Sequence, residues 1–161
     1  MTVLPVHAVS VVNHRDVGTA ERIHQVLVLA YAQEATLLRV QNAAPLAQTV
    51  EHLQNADAFF LAVWRDEQMQ GVISVRRDDE PGQINIASLA VHPAHQRCGV
   101  ARALLSAALQ RAGRAAVSVS TAADNVPALA LYRQFGFEPY RWGTMGEHAL
   151  ALVKLRRVEA G

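Results

Sequence analysis

Between Ala58 and Val91 three β-forming runs follow one another with only short polar turns between them. "AFFLAVWRDEQMQGVISVRRDD" reads as two strands folded back on each other at "RDEQ". "DDEPG" then turns the chain into a third strand, "QINIASLAV". Turns this short leave room only for antiparallel neighbours, because a parallel return needs a long crossover. The third run cannot continue past His92-Pro93, since proline lacks the N–H that a strand ladder requires. Beyond Gly99 a helix begins, with Ala101, Leu104, Leu105, Ala108, Leu109 and Ala112 on one face. An antiparallel meander that feeds a helix is the frame into which everything else must fit.

The remaining elements extend that frame. "AVSVVN" (Ala8–Asn13) is a short β-branched strand. Asp16–Tyr31 is helical, with Ala20, Ile23, Val26, Leu27 and Ala30 on its apolar side. Ala32–Ala44 is polar and irregular, and Pro45 opens a second helix, "PLAQTVEHLQNA". After the Val100–Arg111 helix come the strand "AAVSVSTA" and a helix over Val126–Phe135, closed by Gly136. "EPYRWGTM" and "HALALVKLRR" are two final strands. The order β-α-α-β-β-β-α-β-α-β-β predicts an α/β fold, a mixed sheet with helices on its faces.

Residues 1–161 have the size of a single domain. Such a chain buries roughly 70% of its unfolded surface and needs neither disulfide nor metal to be stable. A content of 51% hydrophobic and 18% charged residues fits a globular chain and excludes a disordered one. Fifteen Lys and Arg against fourteen Asp and Glu leave a net charge of +1, which argues against nucleic acid or an anionic membrane as partner. The single cysteine fits a reducing compartment. The first residues do not read as a signal peptide. The apolar runs "VLVLAYA" and "AFFLAVW" fall far short of the ~18 residues a spanning helix needs. A soluble cytoplasmic protein is expected.

The segment "AVHPAHQRCGVARALL" (Ala90–Leu105) carries the first hint of chemistry. Gly99, Val100 and Ala101 put little bulk on the first turn of a helix, whose free N–H groups and dipole favour an anion. The residues match neither a Walker A loop nor a GxGxxG turn. By themselves they leave two readings, a phosphate cradle or a plain strand-to-helix corner. His92 and His95 straddle Pro93 without a third ligand at zinc-like spacing, so no metal is expected.

"QRCGVA" (Gln96–Ala101) resembles the Q/R-x-x-G-x-G/A pyrophosphate loop of the GNAT superfamily of acyl-CoA-dependent N-acyltransferases. Downstream, "DNVPALALYRQFGF" (Asp124–Phe137) is similar to that family's N-x-x-A-x-x-L-Y-x-x-x-G-F stretch. The resemblance covers nearly the whole chain and is weakest over Ala32–Gln54. It implies a mostly antiparallel sheet, splayed between the strands at 84–91 and 116–121. It implies acetyl-CoA as acyl donor and a small-molecule or peptide amine as acceptor. The main chain of Leu89, Ala90 and Val91 would pair with the pantetheine arm. After Gln96, the amides of Arg97, Cys98, Gly99, Val100, Ala101 and Arg102 would hold the pyrophosphate. Tyr132 would protonate or hydrogen-bond the departing thiolate. Asn125 would contact the donor or cap the helix that carries Tyr132. Cys98, a pantetheine length from the acyl end, reads as an inert thiol. "HALALVKL" either pairs across a homodimer or is an internal strand.

The residues keep their structural reading beside this. Asp124 or Asn125 is a natural N-cap, and Pro127 suits a first turn. Tyr132 shares an apolar stripe with Ala128, Leu131 and Phe135. Many GNAT enzymes carry a glutamate on the strand before the loop, where it helps deprotonate the amine; here Ala87 or Ser88 occupies that place. A lysine-like amine costs roughly 4.6 kcal/mol to neutralise at pH 7, an α-amine about 1.4 kcal/mol. Ser88, Ser120, Glu34 and Glu80 are the candidate substitutes. Tyr31, Glu34, Arg39 and Gln41 are the candidate acceptor-side residues. The missing glutamate also admits a second reading, a CoA-binding domain without catalysis.

Overall fold

The computed structural model describes residues 7–38, 48–96, 98–146 and 149–159. Its elements follow the predicted order: β1 (Val9–Val12), α1 (Val17–Leu38), α2 (Val50–Asn55), β2 (Phe59–Arg65), β3 (Gln68–Arg77), β4 (Gln83–Val91), α3 (Val100–Ala112), β5 (Ala116–Ala122), α4 (Val126–Gln134), β6 (Glu138–Met145) and β7 (Leu150–Arg157). A single 3-10 turn, Pro93–His95, joins β4 to α3. The strands form one 7-stranded sheet in the order β1-β2-β3-β4-β5-β7-β6. Only β4 and β5 run parallel; all other neighbours are antiparallel.

Asp66 and Glu67 make the β2–β3 hairpin with φ of 51° and 65°. Left-handed backbone at both positions gives the turn whose twist matches that of the strands. Along β2 the residues Phe60, Leu61, Ala62 and Val63 are all buried, since helices cover both faces. Leu61 and Val63 pack with Ile73, Leu104, Leu105, Val117 and Phe137 under α3 and α4. Phe60 and Ala62 pack with Ile23, Leu27, Leu53 and Val72 under α1 and α2.

Two boundaries differ from the sequence reading. The first helix runs on to Leu38 instead of ending at Tyr31. Ala32–Leu38 contains no breaker, its Ala, Gln, Glu and Leu are good helix formers, and Ala35 is buried. The second helix starts at Val50, later than expected. Thr49 caps it: its hydroxyl accepts the His52 N–H at 3.1 Å, and the His52 ring accepts the Thr49 N–H at 3.5 Å. Pro45 lies outside the described residues. Of the two readings of "HALALVKL", the internal strand is the one realised, because β7 is flanked by β5 and β6.

Where β4 and β5 begin, the β3–β4 turn is tied down by a polar network. The Asp78 carboxylate accepts from Ser118 Oγ at 2.6 Å, Gln83 Nε2 at 2.7 Å, the Asp79 N–H at 2.8 Å and Lys154 Nζ at 3.1 Å. Glu80 accepts from the Tyr140 hydroxyl at 2.9 Å and from Arg141 at 3.2 Å. Burial alone would raise the Asp78 carboxyl, but the bonds from Ser118, Gln83, Lys154 and Asp79 outweigh it and hold it at about 2. A depressed carboxyl pKa contributes stability that is complete above the ordinary value and lost as pH falls. Acid unfolding curves should therefore show a loss on the order of 2 kcal/mol between about pH 4 and pH 2, absent in Asp78→Asn.

α3 lies directly on β3 at Gly71. A Cβ built there would stand 2.7 Å from Val100 Cγ1, 3.0 Å from Leu104 Cδ1 and 3.1 Å from the Ala90 carbonyl oxygen. Valine is stiff at χ1 and the carbonyl belongs to the sheet, so neither yields easily. Gly71→Ala should lower stability by roughly 1–3 kcal/mol in denaturant titrations.

Candidate active site

The sheet opens in its middle. Ser88 pairs with Ser74, but the next pair is Ile86 with Val75, so Ala87 is an extra residue in β4, a bulge. The parallel ladder joins Gln83–Ile86 to Ala116–Val119 and stops there. From Ala87 onward β4 keeps β3 as neighbour and loses β5, which is the predicted splay between the strands at 84–91 and 116–121. Ala87 is exposed although it sits on a central strand between buried Ile86 and half-buried Ser88. At the far end of β4 the His92 N–H donates to the Gln70 carbonyl at 2.8 Å, toward β3. Main-chain groups alternate along a strand, so those of Leu89 and Val91 face the opening, while the Ala90 side chain is buried toward α1.

The start of α3 stands at the mouth of this opening. His92 belongs to the turn itself: its Nδ1 accepts the Ala94 N–H at 3.1 Å. His95 is held by Gln70 and Gln68, each at 3.3 Å. Among the described residues no group of three potential metal ligands comes together. Gln96 donates to Gln33 of α1. Arg97 lies outside the described residues. Cys98 is exposed, and its carbonyl is bonded to the His7 ring. Gly99 has φ +84°, and a Cβ there would come no closer than 3.8 Å to any atom, the His7 ring. The amides of Gly99, Val100, Ala101 and Arg102 have no acceptor among the described residues. Val100 is buried in the core and fixes the turn from below. The Arg102 guanidinium reaches sideways to Gln134 and the Phe135 ring, leaving the space over Gly99 clear. Free amides, an uncapped helix start and an open glycine are what a diphosphate requires.

Tyr132 lies on α4, which follows β5. It is only 6% exposed and packs in the α3/α4 core, its ring 5.6 Å from Phe137. Asn125 is the N-cap of α4: its Oδ1 accepts the Ala128 N–H at 3.3 Å. Its other end donates from Nδ2 to Glu34 Oε1 of α1 at 3.1 Å, across 91 positions of sequence. Burial raises the Tyr132 phenol well above its ordinary value, and Tyr31 and Glu34 add to the shift. Tyr31 is raised by burial and then by Glu34. Glu34 is itself raised by burial, with the Asn125 bond opposing. Tyr31 packs against the α1/α2 core and Tyr132 belongs to the other.

The other candidates are placed elsewhere. Ser88 Oγ is paired with buried Ser74 Oγ at 2.6 Å, so no carboxylate occupies the strand position beside the bulge. Ser120 is exposed on β5. Glu80 is engaged at the closed end of the sheet, with Tyr140 and Arg141. Arg39 and Gln41 lie outside the described residues. The sequence reading missed the Glu34–Asn125 contact, which no spacing rule reveals; each residue was singled out separately, and that was the only signal.

Residues 22–137 match the model of the acetyltransferase (GNAT) family. The chain is 30% identical over 126 residues to UPF0157 protein YqkA of Bacillus subtilis (strain 168), covering 78% of this chain and 36% of that protein. It is 31% identical over 99 residues to protein ML0378 of Mycobacterium leprae (strain TN), covering 60% of this chain and 28% of that one. It thus spans about a third of the length of these curated relatives. Among solved structures, PaiA N-acetyltransferase from Thermoplasma acidophilum in complex with coenzyme A superposes with a TM-score of 0.74 at 14% identity, over 94% of this chain and 99% of that one. The ribosomal-protein-S18-alanine N-acetyltransferase from Escherichia coli does so with a TM-score of 0.69 at 17% identity, over 97% of each chain. The family match begins in α1, crosses the opened sheet and the α3 turn, and ends at Phe137 beside Tyr132: this chain is a member of the GNAT acetyltransferase family.

Proposed function

We propose that the protein is an N-acetyltransferase that moves the acetyl group of acetyl-CoA to a primary amine, by direct attack in a ternary complex. The parting of β4 from β5 supports this reading most strongly, because it leaves main-chain groups free in the middle of a sheet. Such groups cost free energy unless a ligand or water satisfies them. The residues present fit the donor. Leu89 and Val91 would pair with the pantetheine arm as an added strand, with Ala90 between them holding β4 to the core. The amides from Arg97 to Arg102, following Gln96, would hold the pyrophosphate, and Asn125 would line the same path.

Bound acetyl-CoA supplies the reactive thioester. Tyr132 keeps its proton at any physiological pH, because burial raises the phenol. It can therefore give that proton to the departing sulfur and recover one from the attacking nitrogen. A thiolate whose thiol has a pKa of about 8.5 leaves more readily with a hydrogen-bond donor beside it, and the phenol, a weaker acid, gives up its proton only as the one from nitrogen replaces it. Ser88, bonded to Ser74 beside the bulge, would order β4 along the path of the donor. The acceptor is a small-molecule or peptide amine. Residues 1–161 would act as one acyltransferase domain in the cytoplasm, and the net charge of +1 supports neither nucleic acid nor an anionic membrane as partner.

The absence of a carboxylate at Ala87 or Ser88 favours a second reading, a CoA-binding domain without turnover. Following free thiol while the protein meets acetyl-CoA and a panel of amines separates the two. Release with any amine supports the transferase, and binding without release supports the other. Tyr132→Phe should lower kcat by roughly 100-fold while calorimetry finds acetyl-CoA affinity nearly unchanged. Gly99→Asp should abolish acetyl-CoA binding with the circular dichroism of the fold retained, because aspartate tolerates positive φ but sets a charge against the phosphates.

A further inference from the structure

The helix that covers the α1 face reaches the opening with one carboxylate, Glu34. It is half-buried, held by a neutral amide, and has no salt-bridge partner among the described residues. A carboxylate withdrawn from water without a counter-ion favours either a proton or a cation. Among the described residues its hydrogen-bond partner is Asn125; Tyr31 precedes it by one turn on α1, and Tyr132 lies on the helix that Asn125 caps, both phenols raised by burial and so uncharged at neutral pH. Asn125 fixes it from the α4 side, and the same side chain caps the helix that carries Tyr132. One amide thus sets the position of Glu34 relative to Tyr132.

On this arrangement, and resting on the acetyltransferase reading above, we propose that Glu34 is the group that receives the acceptor: its carboxylate binds a primary alkylammonium and takes its proton, in place of the carboxylate absent from β4. The protons balance. Glu34 removes one proton from R–NH3+ and later returns it to solvent. The freed lone pair forms the C–N bond and the C–S bond breaks. The nitrogen's second proton replaces the one that Tyr132 gives to sulfur, so the products are the amide, CoA thiol and one proton. Asn125 is a positioning residue in this scheme. The raised Glu34 carboxyl brings its affinity for a proton closer to that of the amine, which makes the transfer less uphill.

The test is the pH dependence of thiol release by the full chain with the most active alkyl primary amine of the panel, with kcat/KM expressed per ammonium form. With Glu34 as acceptor, wild-type values rise through one limb, above the ordinary range of a glutamate, and level off before the amine titrates. Glu34→Gln should fall by roughly 100-fold at pH 7, and the deficit should shrink as pH approaches the amine's own pKa. Calorimetric affinity for acetyl-CoA should be unchanged in the variant. A deficit that is constant with pH, or below about threefold at pH 7, overturns the assignment and leaves the transferase reading standing. Should Glu34→Gln not fold, the wild-type profile decides: a rise that continues up to the amine's pKa means that no protein group takes the proton. No thiol release by wild type with any amine overturns Glu34 and the transferase reading together.

Discussion

The structure depends on hydrogen bonds that are not made. Among the described residues β4 and β5 are the only parallel pair, and their ladder ends after Ile86 and Val119. The bulge at Ala87 supplies the local cause, since an extra residue bends and twists one strand while its antiparallel partner β3 stays in place. A sheet open in its centre has an edge where edges are normally covered. The α3 start lies against that edge because Gly71 lets the helix approach β3 with no side chain between them.

The opening also joins what a closed sheet would keep apart. Seven strands with helices on both faces make two cores, one under α1 and α2, the other under α3 and α4. Tyr31 and Glu34 come from the first side, Asn125 and Tyr132 from the second. The Asn125 side chain bridges the two sides through its bond to Glu34, and burial raises both tyrosines and the glutamate. Away from water hydrogen bonds and charges count for more than at a surface.

The strands part safely because they are locked together at the other end. Asp78, Gln83, Asn85, Ser118 and Lys154 form a largely buried network that ties the β3–β4 turn to β4, β5 and β7. Glu80 extends it to β6 through Tyr140 and Arg141. Closure there allows the opposite end to stay open without loosening the fold.

Much of this was legible in the sequence, because it rests on local chemistry. The meander from Ala58 to Val91, the stop at His92-Pro93, the Gly99 helix start and the Asn125 cap all follow from turn residues, missing donors and apolar spacing. The two GNAT-like segments named the family before any coordinate. Helix ends set by weaker signals were misjudged: α1 continued through Ala32–Leu38, and α2 waited for Thr49. The bulge at Ala87 was invisible, since no glycine or proline marks it. Tyr132 is placed as its apolar stripe implies, a ring buried in the core under α3 and α4. The sequence by itself determined the elements, their order and the glycine turn that starts α3. Only the tertiary structure decided that Glu34 meets Asn125, the cap of the helix that carries Tyr132, because residues 91 positions apart are brought together across the sheet and no local rule encodes that.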